Sequence, residues 1–427
     1  MPTPTHLPFI PLSKRSLFIA SFSTIVEWYD FTLYLYFATV ISRVFFGDNP
    51  KSLLITLAGF AVSYLMRPLG ALFFGHLGDT FGRRSVLLTT MTLMSIAMFL
   101  TAMLPTFHDI GIWSGVLMLL LRCVMSFSVG GEYTGVVAYL LEGAKPEKRG
   151  FISSLASAFS EIGGLLAVLV STLTVYFLDN YLLTWGWRVP FIVGGGTMAL
   201  AVFMLRYNMA ESPEFLQHSL NVKSKKSPII DTLIYHRPAI LKTFAISALG
   251  SISYYVGITF VPVFLTTNAN FSEKTALWLS TVASFSVIII TPMVGALSDK
   301  VGRKLVLIGT GIISAIMPIF LFQLMTKSVT MALIGAVLLA CIAGSVSAVA
   351  TSATSEQFPV NVRLSGLALG VTSATAIFGG LTPLLAQVFT NITGKSYASG
   401  VMIMVVAVCV LPVFLTLKET APRLNKN

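Results

Sequence analysis

Long apolar runs separated by short polar stretches recur along the whole chain. A helix that crosses a membrane needs about 20 mostly apolar residues, and twelve runs reach that length. We number these segments 1 to 12 in chain order. They cover residues 16–44, 52–75, 84–105, 111–141, 150–177, 187–206, 239–266, 274–298, 304–326, 329–354, 364–391 and 398–417. The pattern predicts an all-α integral membrane protein with twelve transmembrane helices.

A polar stretch that contains Lys223, Lys225 and Lys226 separates the first six segments from the last six. We therefore expect a six-helix bundle over residues 1–206, a cytoplasmic linker over 207–237 and a second six-helix bundle over 238–427. Composition agrees with this organisation. Only 11% of the residues are charged, against about 25% in soluble globular proteins, so most of the chain is expected to lie in lipid.

A ten-residue motif occurs once in each half. Residues 75–84 read GHLGDTFGRR, and residues 295–304 read GALSDKVGRK. Equivalent loops in two halves are typical of secondary transporters. We interpret them as a conformational latch, with charge contacts that hold one state and break in the other; the alternative is that they only retain basic residues on one side. The candidate latch residues are Asp79, Arg83, Arg84, Asp299, Arg303 and Lys304.

Basic residues are distributed unequally between the two sides of the predicted membrane. If the N-terminus is cytoplasmic, 20 of the 28 Lys and Arg residues lie on the cytoplasmic side, six lie outside and two lie within segments. The positive-inside rule then predicts that both termini are cytoplasmic. This bias accounts for the net charge of +11 without a nucleic-acid partner. The three cysteines lack metal-ligand spacing, and we expect no metal site.

Charged side chains inside membrane segments are costly and usually functional. Glu27 and Asp30 share a face of segment 1, and Arg122 and Glu161 lie at the depth of Asp30. We expect Asp30 and Glu27 to carry the proton, with Arg122 holding them ionised while paired; the alternative is a static ion pair that fixes packing. The predicted substrate contacts are Arg122, Glu161, Tyr34, Tyr254, Tyr255 and Trp278.

Arg67 and Glu132 share a second level, nearer the cytoplasmic ends of segments 2 and 4. Opposite charges at one level of a bundle can pair. We therefore add this pair to the latch candidates, as a gating or structural bridge rather than a substrate contact.

Several motifs resemble a known family. The duplicated loops resemble the signature of the major facilitator superfamily. More narrowly, EWYDFTLY at 27–34, RPLG at 67–70, GGEY at 130–133 and FGGLTP at 378–383 resemble its metabolite:proton symporter family. The resemblance implies a two-bundle fold that moves small metabolites with protons. Substrates of that family include dicarboxylates, citrate, shikimate, proline and betaines.

These observations predict a monomeric, proton-driven symporter of the bacterial cytoplasmic (inner) membrane. Its partners are a small organic substrate and the lipid bilayer, and protons serve as the coupling ion with no other cofactor. One mid-depth arginine beside three carboxylates favours a zwitterion such as proline or betaine, or a small monovalent carboxylate. We expect no enzyme, because no catalytic triad or ATP-binding signature occurs. The alternatives are an efflux antiporter of the same fold and a non-transporting membrane sensor.

Overall fold

The computed structural model describes residues 14–81, 83–130, 149–207, 228–358 and 362–421, and each of the twelve predicted segments contains helix. In the first half, the helices of segments 1 to 6 are Lys14–Tyr36 with Ala38–Phe46, Ser52–Tyr64 with Met66–Phe81, Arg83–Met103, Ile112–Val129, Arg149–Phe177, and Arg188–Ile192 with Leu200–Tyr207. In the second half, those of segments 7 to 12 are Arg237–Tyr254 with Val261–Thr267, Glu273–Val301, Arg303–Leu324, Val329–Ser355, Arg363–Thr375 with Thr382–Thr393, and Ala398–Leu415.

The outer surface of the helices is apolar. Ile112, Trp113 and Phe320 are 73%, 65% and 60% exposed, and a contiguous apolar exterior of this kind suits lipid rather than water. Within the described residues, nine helices are long and apolar enough to cross a membrane. The number rises to ten if the bent pair over residues 179–186 and 188–204 forms one span.

Segment 5 holds the two halves together along its whole length. It packs against segment 1 of its own half and against segment 8 of the other. The approach is close, because a Cβ atom added to Gly295 would lie 2.2 Å from the Ser154 Oγ atom. The first glycine of the second repeat is therefore required for contact between the halves.

Segments 7 and 11 change helical type at mid-length. A π-helical turn, Tyr255–Thr259, interrupts segment 7, and another, Ala376–Gly380, interrupts segment 11. Each precedes a proline near the start of the next helix, Pro262 and Pro383 respectively. Proline cannot donate a backbone hydrogen bond, so each of these prolines leaves a carbonyl of the preceding turn without its usual helical partner. Such π-turns are frequent at functional sites.

Some predicted features lie outside the described residues. Residue Glu132 and most of the predicted linker are among them. The backbone of the first motif, residues 75–84, is helical on both sides of residue 82. The structure does not describe the side chains of its predicted latch residues, Asp79, Arg83 and Arg84.

Candidate functional site

A cavity of about 130 Å³ lies between the two halves. A water molecule occupies about 10–15 Å³ by this measure, so the cavity has room for on the order of ten waters, the scale of a small metabolite. Segments 1, 2, 4 and 5 form one wall, and segments 7, 10 and 11 form the other. The lining residues are Glu27, Trp28, Arg67, Val129, Gly130, Ser157, Ser160, Glu161, Ser247, Gly250, Ser251, Tyr254, Tyr255, Ser347, Ala350, Thr351, Thr354, Leu367, Val371, Thr372 and Thr375.

The charged residues that line the cavity, Glu27, Arg67 and Glu161, all come from the first half, and Arg67 supplies the positive charge. Its guanidinium Cζ lies 3.8 Å from the ring centroid of Phe31 and 4.3 Å from that of Tyr64. A desolvated cation over an aromatic face gains about 2 kcal/mol. Among the described residues, the Nε and Nη2 atoms of Arg67 have no hydrogen-bond partner. Two donors at the cavity are therefore left for an anionic group.

Glu161 brings a carboxylate to the segment 5 side of the same cavity. The side chain is 4% exposed, and the described residues offer it no ion pair. Trp28 and Tyr254 pack edge to face nearby, with ring centroids 5.2 Å apart. Aromatic faces beside a carboxylate form an environment that attracts a cationic group.

Asp30 and Arg122 form an ion pair that the cavity does not reach. The Nη1 atom of Arg122 donates to the Asp30 Oδ2 atom at 2.7 Å, and the side chains are 1% and 0% exposed. The guanidinium also lies over Tyr34, with Cζ 4.8 Å from the ring centroid. Removing one member of such a buried pair leaves an uncompensated charge, which costs about 3–5 kcal/mol.

Three predicted substrate contacts are not on the cavity wall. Arg122 faces Asp30 inside the first half instead. The ring of Tyr34 is also enclosed there, and its hydroxyl donates to the Thr56 carbonyl at 3.0 Å. Trp278 is 59% exposed on the outer surface, in a stripe of bulky apolar side chains with Val282 and Phe285. The opposite, buried face of segment 8 carries Ser280, Thr281 and Ser284, and this division between bulky and small polar residues was the sequence signal that Trp278 faces outward. Of the predicted contacts, Glu161, Tyr254 and Tyr255 line the cavity.

The second repeat joins the two halves at one end of the molecule. The Asp299 carboxylate accepts hydrogen bonds from the backbone N–H groups of Gly150 at 3.0 Å and Phe151 at 2.9 Å. These are free N–H groups at the start of segment 5, where a carboxylate also interacts favourably with the helix dipole. Arg303 donates from Nη2 to Asp299 at 2.7 Å. We call this end of the molecule the repeat end.

Arg303 continues the network within the second half. Its Nε atom lies 3.5 Å from the Glu356 Oε2 atom, and that oxygen also accepts from the Thr420 hydroxyl. Burial raises the pKa of the Glu356 carboxyl, and the Arg303 guanidinium offsets only part of that rise. Lys304 does not reach the first half. Its ammonium donates to the Leu415 carbonyl at 2.7 Å, which satisfies the end of segment 12.

Ion pairs also join the halves at the opposite end. Arg43 donates from Nη2 to both carboxylate oxygens of Glu273, at 2.6 and 2.7 Å. Next along the chain, Lys274 donates to Asp179 at 2.8 Å. Adjacent residues at the start of segment 8 thus each bind an opposite charge from the first half.

Comparison with known proteins identifies the family. Residues 16–233 match the family described as "Sugar (and other) transporter", and residues 243–427 match the Major Facilitator Superfamily. The proline/betaine transporter of Salmonella typhimurium is 31% identical over 425 residues, which cover 96% of this chain and 84% of that protein. The chain belongs to the major facilitator superfamily. Within it, the chain is a multi-pass transporter of the metabolite:proton symporter family.

Other relatives differ in their named substrates. The citrate-proton symporter of Salmonella typhi is 32% identical, with 90% of this chain and 89% of that protein covered. The alpha-ketoglutarate permease of Escherichia coli K12 is also 32% identical, with 86% and 85% covered. A crystal structure of a D-xylose-proton symporter aligns with a TM-score of 0.73 at 20% identity, over 95% of this chain and 98% of that one. This likeness shows the fold.

The structure of the transporter adds cavity residues that sequence reasoning missed. Trp28 lies directly after Glu27, but one aromatic among the many of segment 1 carries no sequence signal. Nine serine and threonine hydroxyls also line the cavity. Ser157 and Thr351 hydrogen-bond across the halves at 2.8 Å. The partner of Ser157 comes from the other half of the chain, so only the fold supplies it.

Proposed function

We propose that the transporter couples the uptake of a small zwitterion, such as proline or a betaine, to proton entry by alternating access. The observation that carries the proposal is the charge arrangement of the cavity: Arg67 at one position and the Glu161 carboxylate at another, with aromatic rings beside it. A zwitterion would place its carboxylate on Arg67 and its cationic nitrogen against Glu161, Trp28 and Tyr254. The proline/betaine relatives are consistent with this assignment.

A small carboxylate is the second candidate, since two relatives are named for citrate and alpha-ketoglutarate. The cavity charge argues against a multivalent anion. Among the described lining residues, one cation faces two carboxylates, Glu27 and Glu161, and like charge disfavours a dianion. A monocarboxylate remains compatible with Arg67.

The proton would be carried by Glu27 and Asp30. Both carboxylates lie close enough to Arg67 to interact with its charge, and Asp30 is in addition paired with Arg122. A substrate carboxylate arriving at Arg67 would compete with Glu27 for that charge. Protonation of Glu27 would remove the competition, so proton and substrate would favour each other's binding.

The network around Asp299 supports a latch at the repeat end. It would stabilise the conformation in which segment 5 and segment 8 are close, and it would break when that end opens. We place the repeat end and both termini in the cytoplasm, because the basic residues concentrate there. The protein would act as a monomer of two bundles, residues 1–206 and 238–427, joined by the linker at 207–237, in the bacterial inner membrane.

The proposal is tested with purified protein. A thermal-shift screen should show stabilisation by proline or glycine betaine and little by citrate or 2-oxoglutarate, because ligand binding to the folded state raises the melting temperature. In proteoliposomes, an imposed pH gradient, acidic outside, should drive accumulation of the same zwitterion, and a protonophore should abolish it. Stabilisation by citrate alone would overturn the zwitterion assignment, and uptake without any effect of the pH gradient would overturn proton coupling.

A further inference from the structure

Two guanidinium groups lie over the ring of Phe31. The Cζ atom of Arg67 is 3.8 Å from the ring centroid, and that of Arg122 is 5.5 Å away. Phe31 is 1% exposed and directly follows Asp30, the partner of Arg122. A phenyl face attracts cations within about 6 Å of its centroid. One ring therefore holds the cavity arginine and the buried arginine at the same time.

Each arginine also rests on a second ring. Arg67 lies over Tyr64, and Arg122 lies over Tyr34. Phe60 packs between these two rings, with centroid distances of 5.8 Å to Tyr34 and 4.5 Å to Tyr64, and neither guanidinium lies over it. Phe60 is thus as buried and as aromatic as Phe31, but it does not hold an arginine.

Hydrogen-bonding groups near this ring remain unmatched. Among the described residues, the Asp30 Oδ1 atom accepts no hydrogen bond, and the Nε and Nη2 atoms of Arg67 donate none. No ion pair joins Arg67 to Asp30 in that part of the chain, although their charges interact. An unpaired buried donor and acceptor attract each other strongly, so something must keep them apart.

We propose that Phe31 is a positioning residue that keeps Arg67 at the cavity and off Asp30. This inference rests on the proposed proton symport. With the ring in place, Asp30 has one arginine and can exchange its proton, while Arg67 serves the substrate. Without the ring, Arg67 moves onto the free Asp30 oxygen, the carboxylate is bound by two arginines, and it no longer takes up a proton during the cycle.

The ionisable groups around Asp30 come from several segments. Among the described residues, Arg67 on segment 2 and Arg122 on segment 4 act on the charge of Asp30, and Asp30 acts on Tyr29 of segment 1. Glu27 on segment 1 and Tyr64 on segment 2 act on Arg67 in turn. Glu161 on segment 5 lines the same cavity as Arg67. The test compares variants that leave all of these groups in place.

The experiment uses the full-length protein in proteoliposomes with radiolabelled proline. Two quantities are compared. The first is the ratio of internal to external proline reached under an imposed pH gradient, and the second is the rate of proline exchange at equal pH on both sides. Phe31→Leu keeps an apolar side chain but removes the ring face. We expect it to lower the accumulation ratio at least tenfold. The proline concentration for half-maximal exchange should rise, because Arg67 has left the cavity, while exchange at saturating proline stays within about threefold of the wild type. Phe31→Tyr retains the ring and should restore most of the accumulation.

Phe60→Leu is the matched control, since it removes a ring from the same aromatic cluster without touching an arginine. It should keep accumulation within about threefold. Equal losses in Phe31→Leu and Phe60→Leu, or no rescue by Phe31→Tyr, would reduce Phe31 to a packing residue and overturn the inference. Unchanged accumulation in Phe31→Leu would do the same. A wild type that exchanges proline but never accumulates it would instead overturn the proposed proton coupling, and this inference with it.

Discussion

Asp30 and Arg122, to which we assign a part in proton transfer, form a fully buried ion pair. Taking two charges out of water costs several kcal/mol each, and their attraction returns that cost only with good geometry. Here one hydrogen bond of 2.7 Å joins the side chains, and the Asp30 Oδ1 atom has no partner among the described residues. Protonating Asp30 would leave the Arg122 charge buried without its partner, so a change of protonation here would have to accompany a movement of Arg122.

Asp30→Asn should abolish proton-driven accumulation while leaving substrate binding within about threefold of the wild type. The amide keeps the shape of the carboxylate and can still accept a hydrogen bond from Arg122, but it cannot carry a proton. Uphill uptake under an imposed pH gradient and calorimetric binding measure the two effects. Asp48→Asn, at an exposed carboxylate outside the segments, is the control. Undiminished concentrative uptake by Asp30→Asn would exclude Asp30 as a proton carrier.

Glu161→Gln should weaken a zwitterionic substrate by about 1–3 kcal/mol, the usual loss when a charged hydrogen-bond partner is removed. A simple monocarboxylate should lose much less affinity, or gain some, because the repulsion from Glu161 also disappears. Isothermal titration with proline and with a monocarboxylate of similar size compares the two. Equal changes for both ligands, or none for either, would make Glu161 a packing carboxylate.

At the scale of whole helices, two of the segments that bound the cavity, 7 and 11, do not run as regular α-helices. The π-turns Tyr255–Thr259 and Ala376–Gly380 lie beside lining residues of segments 7 and 11. A Cβ atom on Gly379 would lie 2.8 Å from the Tyr255 ring, so the turn of segment 11 packs directly on that of segment 7. Broken helices place backbone bends where a rigid rod could not follow the cavity.

Asp299→Asn should slow transport without unfolding the protein. The substitution removes the charge that faces the start of segment 5 and one charged acceptor of Arg303, a loss of about 1.5–3 kcal/mol for the closed conformation. Initial uptake rates and the melting temperature measure the two effects. Ser298→Ala is the control, since Ser298 accepts from the Arg303 Nη1 atom at 2.8 Å but does not bind segment 5.

Because the two loops occupy equivalent positions, Asp79→Asn should also slow transport without unfolding the protein, and the two effects need not be equal. If both aspartate variants turn over at the wild-type rate, the latch interpretation is wrong for this protein.

At the scale of the molecule, contacts hold both ends of the interface between the halves. Asp299 and segment 5 meet at the repeat end, while Arg43 and Glu273 meet at the other end. Alternating access requires that one set breaks while the other persists. The two sets of contacts are of different kinds. One is a buried helix cap at the repeat end, and the other is a partly exposed ion pair at the opposite end, so they should stabilise the closed interface by different amounts.

Arg43→Gln and Glu273→Gln should each change the maximal transport rate by a factor of about 1.4–5. The side chains are 35% and 25% exposed, and partly exposed ion pairs contribute about 0.2–1 kcal/mol. In a double-mutant cycle the two effects should not add, because both variants break the same contact. Lys51→Gln, at the same end, controls for loss of charge alone. Additive effects would show that the pair is not part of the transport cycle.

The sequence by itself determined the elements and their number. Segment length follows from membrane thickness, so the ends of the predicted segments lie within a few residues of the described helices; the end of segment 4 lies outside the described residues. The duplicated loops and the motifs at 27–34 and 130–133 also led to the family, and the comparisons confirm it. These features are local in the chain, which is why they could be predicted.

Only the tertiary structure decided which charged groups share the cavity. Position along a segment gives the depth of a residue, but not the direction in which its helix is turned. Arg122 and Glu161 were placed at one level, yet Arg122 faces Asp30 inside the first half while Glu161 faces the cavity. Arg67, predicted as a gating residue, also lines the cavity. The rotation of each helix is fixed by its packing against neighbours that are distant in sequence. Small residues within a segment mark its packed face, but they do not show which packed side chain opens onto the cavity.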